Sequence, residues 1–378
     1  MRNAPCSVLL VPPLSAHGGV TSMTLYWHNV SESLDALGDP RFSVRAITPA
    51  PSLRKSRLSR RVCQRVLLPV LVRRAVALER RRGRRPAVHV LDQHYAHLLP
   101  RAGGNVLTCH DLDVLVSPQR GLWRGEERAR TRCLVRAGII HAISLNTALD
   151  VARLFPAAAT RVIVNYYGLD PLFCHRPAAP AAPHLERLRN AGKAFFVLHV
   201  GSNVDRKNIP VLLEGFARAK AQSPGLRLKL VKVGDDLRTD GFGAMIQALG
   251  LADDLVHLGF LDPARLVDVY NSCHVFVLPS RYEGFGRPAA EAQACGLPCI
   301  LAQTSSLPEV GGEAALYHPA ASPEILAQCI IKVATDPGLR DRLCAAGKEN
   351  VKRFTWRRHA ELLAASYLAQ PGTAALNE

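Results

Sequence analysis

Two successive series of short apolar runs, each run followed by a helix-like stretch, constrain this chain more than any other feature. The first series is SVLLV (7–11), FSVRAIT (42–48), AVHVLD (87–92), NVLTCHD (105–111), GIIHAIS (138–144) and RVIVNYY (161–167). The second is AFFVLHVG (194–201), RLKLVKVG (227–234), LVHLGF (255–260), HVFVLPS (274–280) and PCILAQ (298–303). Strands alternating with helices predict parallel sheets, and patterns such as Val211 to Ala221 and Asp262 to Asn271 supply the helices that cover them. Between the series, HRPAAPAAPHLERLRNAGK (175–193) has the Pro and Ala content of a linker. The expected fold class is α/β: two Rossmann-like doubly wound domains facing a central cleft, with ligands at the carboxyl ends of the strands.

A length of 378 residues suits two domains, and 48% hydrophobic with 21% charged residues gives each a core. The longest apolar runs, such as Val66 to Val72, are far shorter than the roughly 18 residues of a spanning helix. The N-terminus, MRNAPCSVLLVPPL, has one basic residue and is broken by Pro12 and Pro13, which fits a buried first strand better than a secretory signal. The expected location is therefore cytoplasmic. Ten cysteines show no zinc-type spacing, the nearest pair being Cys295 and Cys299, so free buried thiols are expected.

The net charge of +17 is concentrated between Arg54 and Arg85, where thirteen Lys and Arg face one acid, Glu79. Leu58, Val62, Val66 and Val70 recur there at four-residue steps beside the arginines, and Pro69 is expected to end or kink a helix. Two readings stand: a segment that lies on an anionic membrane surface, and a solvated helix on a domain face. Nucleic acid is not expected as a partner, because no aromatic residue interleaves with these arginines.

The loops after the strands carry the chemistry. Gly18 and Gly19, after the first strand, allow either a plain turn or a backbone approach to phosphate. His110 follows the fourth strand, either as a structural histidine or as a group that bonds a sugar hydroxyl or handles a proton. Asp111 and Asp113 spell D-x-D, but no further oxygen ligands accompany them, so no metal site is expected. Arg206 and Lys207 precede a helix where cation and helix N-terminus can converge on one diphosphate. In PSRYEGFGRPAAEAQACGLPCI (279–300), Glu283 ends a loop, the Gly284 to Gly286 amides are free to bond, and Pro288 opens a helix carrying Glu291. A carboxylate beside a phosphate-binding helix start is best aimed at hydroxyls, so the pair points to a ligand that is part diphosphate and part polyol. A nucleotide sugar has that composition.

Over nearly its full length the chain resembles the retaining nucleotide-sugar glycosyltransferases of the GT-B fold, the glycosyl transferases group 1 family. GSNVDRKN, EGFGRPAAEA and SSLPEVGG carry the match, with CHD, AIS (142–144), YYGLD (166–170) and FTW in the family's order. The resemblance implies an N-terminal acceptor-binding domain (1–176), a linker (177–193), a C-terminal nucleotide-sugar-binding domain (194–352), and a segment 353–378 whose helix crosses back to the first domain. It implies that Gly201, Arg206 and Lys207 hold the diphosphate and Glu291 the ribose, while Glu283 with Gly284, Phe285 and Gly286 holds the transferred sugar. His110 would face that sugar, Gly19 would approach the phosphates, and Gly259 and Phe260 would hold the base. No metal or other cofactor is implied, because basic side chains and a helix dipole stabilise the leaving group. Ser202 stands where many relatives carry arginine, as in a subset that includes O-antigen mannosyl- and rhamnosyltransferases. That subset implies a hexose donor, mannose or rhamnose, and a glycan or lipid-linked acceptor in cell-surface polysaccharide synthesis. The rival readings are a sugar-nucleotide epimerase or a phosphorylase on the same fold, and a non-catalytic membrane- or nucleic-acid-binding protein that kept it.

Overall fold

The structure, a computed structural model, describes residues 5–13, 22–49, 62–100, 104–117, 124–176 and 194–369. Gly19, Arg54 to Arg61, the expected linker 177–193 and the last nine residues lie outside the described residues. The chain forms two compact units, Met1–Gly168 with Thr355–Glu378 and Leu169–Phe354. Residues 169–176 thus group with the second unit.

Among the described residues the first unit holds six parallel strands, β1 (Cys6–Val11), β2 (Phe42–Ala46), β3 (Arg85–Val90), β4 (Gly104–Cys109), β5 (Ile139–Ala142) and β6 (Val162–Val164). Their order is β2-β1-β3-β4-β5-β6, so the chain reverses direction across the sheet between β1 and β3. Strand periodicity divides the side chains between two cores. Leu9, Val11, Val88, Val90 and Leu107 point into one, with Leu68 and Val72 of helix α2 (Leu68–Arg81). Cys6, Val8, Leu10, Ala87 and Val106 point into the other, under helices α1 (Ser22–Ala36) and α8 (Trp356–Ala369). Between these two come α3 (Leu145–Leu154), α4 (Ile209–Gln222), α5 (Pro263–Ser272), α6 (Arg287–Ala294) and α7 (Pro323–Thr335).

Pro69 does not stop its helix. Cys63–Leu67 form a wide π turn that closes with Leu68 N–H donating to the Cys63 carbonyl, and α2 continues from it with Pro69 in its first turn, where no N–H is needed.

Helix α8 comes from the far end of the chain and is fastened by polar groups as well as by Ala360, Leu363 and Tyr367. The Tyr26 hydroxyl lies 3.0 Å from His359 Nε2 and 3.1 Å from Thr108 Oγ1, and Tyr367 Oη lies 2.7 Å from His89 Nδ1. His141 bonds Ser366 at 2.9 Å and Asn165 at 3.1 Å, and Arg85 reaches the terminal carbonyls of Tyr367 and Leu368. At the start of α8, a Cβ on Gly168 would come within 2.3 Å of the Trp356 ring and 2.4 Å of its backbone nitrogen. Gly168→Ala is therefore expected to lower stability by about 1–3 kcal/mol, the usual cost of overpacking, as read by chemical denaturation. An unchanged denaturation midpoint would show that the α8 entry has slack.

The second unit is built the same way from β7 (Phe195–Val200), β8 (Leu228–Val233), β9 (Leu255–His257), β10 (Val275–Leu278), β11 (Cys299–Ala302) and β12 (Ala315–His318). All pairs are parallel, in the order β12-β11-β10-β7-β8-β9, with the reversal between β7 and β10. The sequence pattern omits β12, and β9 stops three residues before Phe260 because Gly259 turns the chain at φ 68°.

Candidate active site

In an open parallel sheet the crevice beyond the strands opens where the order reverses, which here is the gap between β7 and β10. The loops after those two strands meet there. Gly201 follows β7 at φ 146°, and a Cβ at that position would crowd Lys207 Cε at 3.3 Å. The loop then runs through a short 3-10 turn, Asp205–Lys207, to Asn208 in the left-handed region at φ 57°. Asn208 Nδ2 holds that strained turn in place by donating to the carbonyls of Pro279 (3.0 Å) and Ala320 (2.7 Å).

Glu283, in the loop after β10, is the centre of the cluster. Lys207 Nζ donates to its Oε1 at 2.7 Å, Ser280 Oγ donates to the same oxygen at 2.7 Å, and Arg206 Nη1 donates to Oε2 at 2.8 Å. Its backbone is fixed too, the N–H donating to Ser305 Oγ and the carbonyl accepting from Ser306 Oγ, both at 2.9 Å. Burial alone would raise the carboxyl pKa; Lys207 first and Arg206 next reverse this and hold it at about 2. The carboxylate is ionised at any physiological pH and two cations are already oriented around it.

A third cation completes the group. Lys232 at the end of β8 is buried, and its Nζ donates to the carbonyls of Gly201 and Val233. Burial lowers its pKa to about 8, against the opposing pull of Asp235. Beside it Gly234 takes φ 106°, since a Cβ there would meet the Gly201 carbonyl at 2.3 Å, and donates its N–H to the Gly259 carbonyl at 2.8 Å. Arg206 and Lys207 on Glu283, with Lys232 between backbone carbonyls and near Asp235, gather three cations at a strand-end crevice, where guanidinium and ammonium groups can bond an oligophosphate.

Gly286 turns the chain at φ 92° into α6, where a Cβ would strike Leu307 at 2.8 Å. The sequence-identified Gly284, Phe285 and Gly286 thus form the entry to the helix carrying Glu291. Glu291 is buried with partners of its own: Tyr270 donates to Oε2 at 3.0 Å and Arg287 Nε pairs with Oε1 at 2.9 Å. Phe260, next to Gly259, presents an apolar ring 80% exposed.

His110 lies in the first unit at the end of β4. Its Nε2 faces the Leu91 carbonyl at 2.7 Å, which can only accept, so Nε2 carries the proton and Nδ1 accepts from the Tyr167 hydroxyl at 2.5 Å. Burial lowers its pKa, so the ring is neutral. Both nitrogens serve internal bonds, which makes it a brace joining β3, β4 and the segment after β6. Ser144 of the AIS stretch caps α3 by accepting from the Thr147 N–H at 3.0 Å. Asp111 and Asp113 close a local turn, with the Asp113 N–H donating to Asp111 Oδ1 at 3.3 Å and Ser117 donating to Asp113. Among the described residues no group of three His, Cys, Asp or Glu is placed to hold a metal ion.

Sequence reasoning brought Arg206, Lys207 and Glu283 forward and missed Ser280, Lys232, Asn208, Tyr270 and Arg287. Lys232 had a signal: a lysine inside LKLVKVG, at a position whose neighbours in the run are core residues.

Residues 183–350 match the family model described as Glycosyl transferases group 1. The O-antigen chain mannosyltransferase B of Escherichia coli is 28% identical over 71% of this chain and 70% of its own length. The D-inositol 3-phosphate glycosyltransferase of Saccharomonospora viridis is 33% identical over 57% of this chain and 51% of its own, so the chain spans about half the length of that relative. In three dimensions the chain is similar to sucrose-phosphate synthase from Thermosynechococcus elongatus, with a TM-score of 0.74 and 22% identity over 96% of this chain and 98% of that one.

Proposed function

We propose, from the premise that this chain is a glycosyltransferase with a group 1 domain and the GT-B fold, that it moves a hexose from a nucleoside-diphosphate sugar to a glycan or lipid-linked hydroxyl with retention of configuration. The observation that carries this reading is the Lys207–Glu283–Arg206 cluster at the β7/β10 reversal. Lys207, Arg206 and Lys232 take the diphosphate, Glu283 accepts from sugar hydroxyls, and Glu291 accepts from the ribose. Bonds to Glu283 weaken as phosphate draws the cations away, which leaves carboxylate lone pairs for hydroxyls. Transfer needs no metal, since these side chains neutralise the departing phosphate. The sugar C1–O bond to phosphate breaks, the acceptor oxygen bonds C1 on the same face, and the acceptor's proton passes to the leaving phosphate. Mannose or rhamnose is the proposed sugar, in cell-surface polysaccharide synthesis, on the strength of the mannosyltransferase relative.

We place the enzyme at the cytoplasmic membrane surface. No helix of the described residues is long and apolar enough to cross a membrane. Val62, Val66, Val70 and Leu78 are nevertheless exposed by 39–60% along a segment whose Arg65, Arg73, Arg74, Arg80 and Arg81 are exposed as well. Apolar and cationic side chains on one surface segment suit an anionic bilayer interface.

The test is a screen of labelled nucleotide sugars with product analysis by NMR. The expected result is a glycoside with the donor's anomeric configuration, formed undiminished in a chelator; inverted product would remove the retaining mechanism. Sedimentation with anionic vesicles and not with neutral ones is expected, and equal sedimentation with both would remove the membrane surface as partner.

A further inference from the structure

Glu291 is held differently from Glu283. Helix α6 turns Ala289, Ala290 and Ala292 into the core, and Glu291 between them is buried as well, with 5% of its side chain exposed. A buried carboxylate needs internal partners, and each of its oxygens has one. Tyr270 Oη lies 3.0 Å from Oε2 and 3.4 Å from the Pro288 carbonyl, so its single hydrogen goes to the nearer, charged oxygen. Arg287, one helical turn before Glu291, pairs its Nε with Oε1 at 2.9 Å.

Tyr270 has no room to turn away. It is fully buried on α5, whose start Asp262 caps by accepting from the Arg265 N–H at 3.0 Å. Its ring packs edge-on against Phe173 and Phe276, with centroids 6.0 Å apart in each pair. Burial first and Glu291 second raise its hydroxyl pKa far above the ordinary value, which keeps it a donor. Arg287 is the partner on the solvent side, 36% exposed.

A carboxylate oxygen can accept twice, so each oxygen of Glu291 keeps one unfilled position. Two acceptor positions side by side fit hydroxyls on adjacent carbons, which the ribose of a nucleotide presents. A glutamate free to rotate would have to be ordered by the ligand itself; here Tyr270 and Arg287 order it beforehand.

We propose that Tyr270 and Arg287 are positioning residues that preset Glu291 for a vicinal diol, so that the choice of ribose over 2′-deoxyribose depends on two side chains acting through a third. The inference rests on the reading above in which Glu291 accepts from the ribose.

Calorimetry on the full chain tests this with ADP, CDP, GDP, UDP and their 2′-deoxy counterparts. The wild-type chain is expected to bind the ribose form of its preferred base about 10-fold more tightly than the deoxyribose form, the worth of one hydrogen bond to a charged group. Tyr270→Phe keeps the ring packing and loses the donor, and Arg287→Gln loses the charge. Each is expected to bring that ratio down to about 3-fold or less, while affinity for the 2′-deoxy form, which also reports the fold, stays within about 3-fold of wild type. Arg287→Lys keeps a cation one turn before Glu291 and is expected to keep most of the ratio. A wild-type ratio of one or less would show that Glu291 meets no diol, and would overturn the inference while leaving the donor site standing. A full ratio in either variant would remove that residue from the role, and a parallel loss for ribose and deoxyribose forms would make it structural. If no nucleoside diphosphate binds the wild-type chain, the transfer reading falls and this inference with it.

Discussion

Lys207→Ala is expected to lower kcat for sugar transfer by at least 10-fold, and on the order of 10²-fold if Lys207 meets charge that develops on the leaving diphosphate. The same substitution removes the 2.7 Å partner of Glu283 from a buried position. Stranding a buried charge completely costs about 3–5 kcal/mol. Arg206 at 2.8 Å and Ser280 at 2.7 Å remain, so the stability loss falls short of that figure. The two effects separate in one experiment: steady-state kinetics with saturating donor reports the charge, and thermal denaturation of the same sample reports the fold. Full kcat with a lowered melting temperature would leave Lys207 a purely structural residue.

The second large effect is acid sensitivity of the first unit. His89, His141 and His359 are buried, and burial holds all three pKa values low, His141 at about 3 and His359 at about 4. Each is neutral when folded and gains a proton when unfolded below about 6.5. The unfolded chain therefore binds more protons between pH 6.5 and about 4, and stability falls as pH falls through that window. By pH 4.5, His141 and His359 each remove roughly 2–3 kcal/mol, a large share of the ~5–15 kcal/mol that holds a typical domain together. His94 acts in the opposite sense: its raised pKa adds stability that is complete below about 6.5 and fades as pH rises towards 10. Melting temperature against pH should fall steeply from 6.5 to 4.5 and gently on the alkaline side. A flat acid limb would mean that the buried imidazoles are charged in the native state.

Much of this was legible in the sequence, for reasons visible in particular residues. Strands buried on both faces are nearly all apolar, as Cys6–Val11 and Cys299–Ala302 are, and such runs stand out between helical patterns. ALYH at β12 was not readable, being four residues at an edge with two only half covered. Arg206, Lys207 and Glu283 were found because each follows a strand, but their contacts span 77 and 76 residues and no spacing rule contains them. The internal bonding of His110 depends on Tyr167, 57 residues away, so its sequence neighbours could not show that both nitrogens are taken. His94 lies between Asp92 and Glu127 of the helix Arg124–Thr131, a meeting of distant segments that no spacing rule contains.

Helix α8 has a consequence for synthesis. The second unit, Leu169–Phe354, is continuous in the chain and has all its strands before the last helix emerges from the ribosome. The first unit is interrupted: Tyr26, Val8 and Leu10 lie against Leu363 and Tyr367, made more than 300 residues later. The earlier-made sheet must therefore wait, with one apolar face uncovered, while the later-made unit folds, reversing the usual order in which N-terminal domains mature first. A released chain truncated after Phe354 should be cleaved by protease in the first unit and protected in the second.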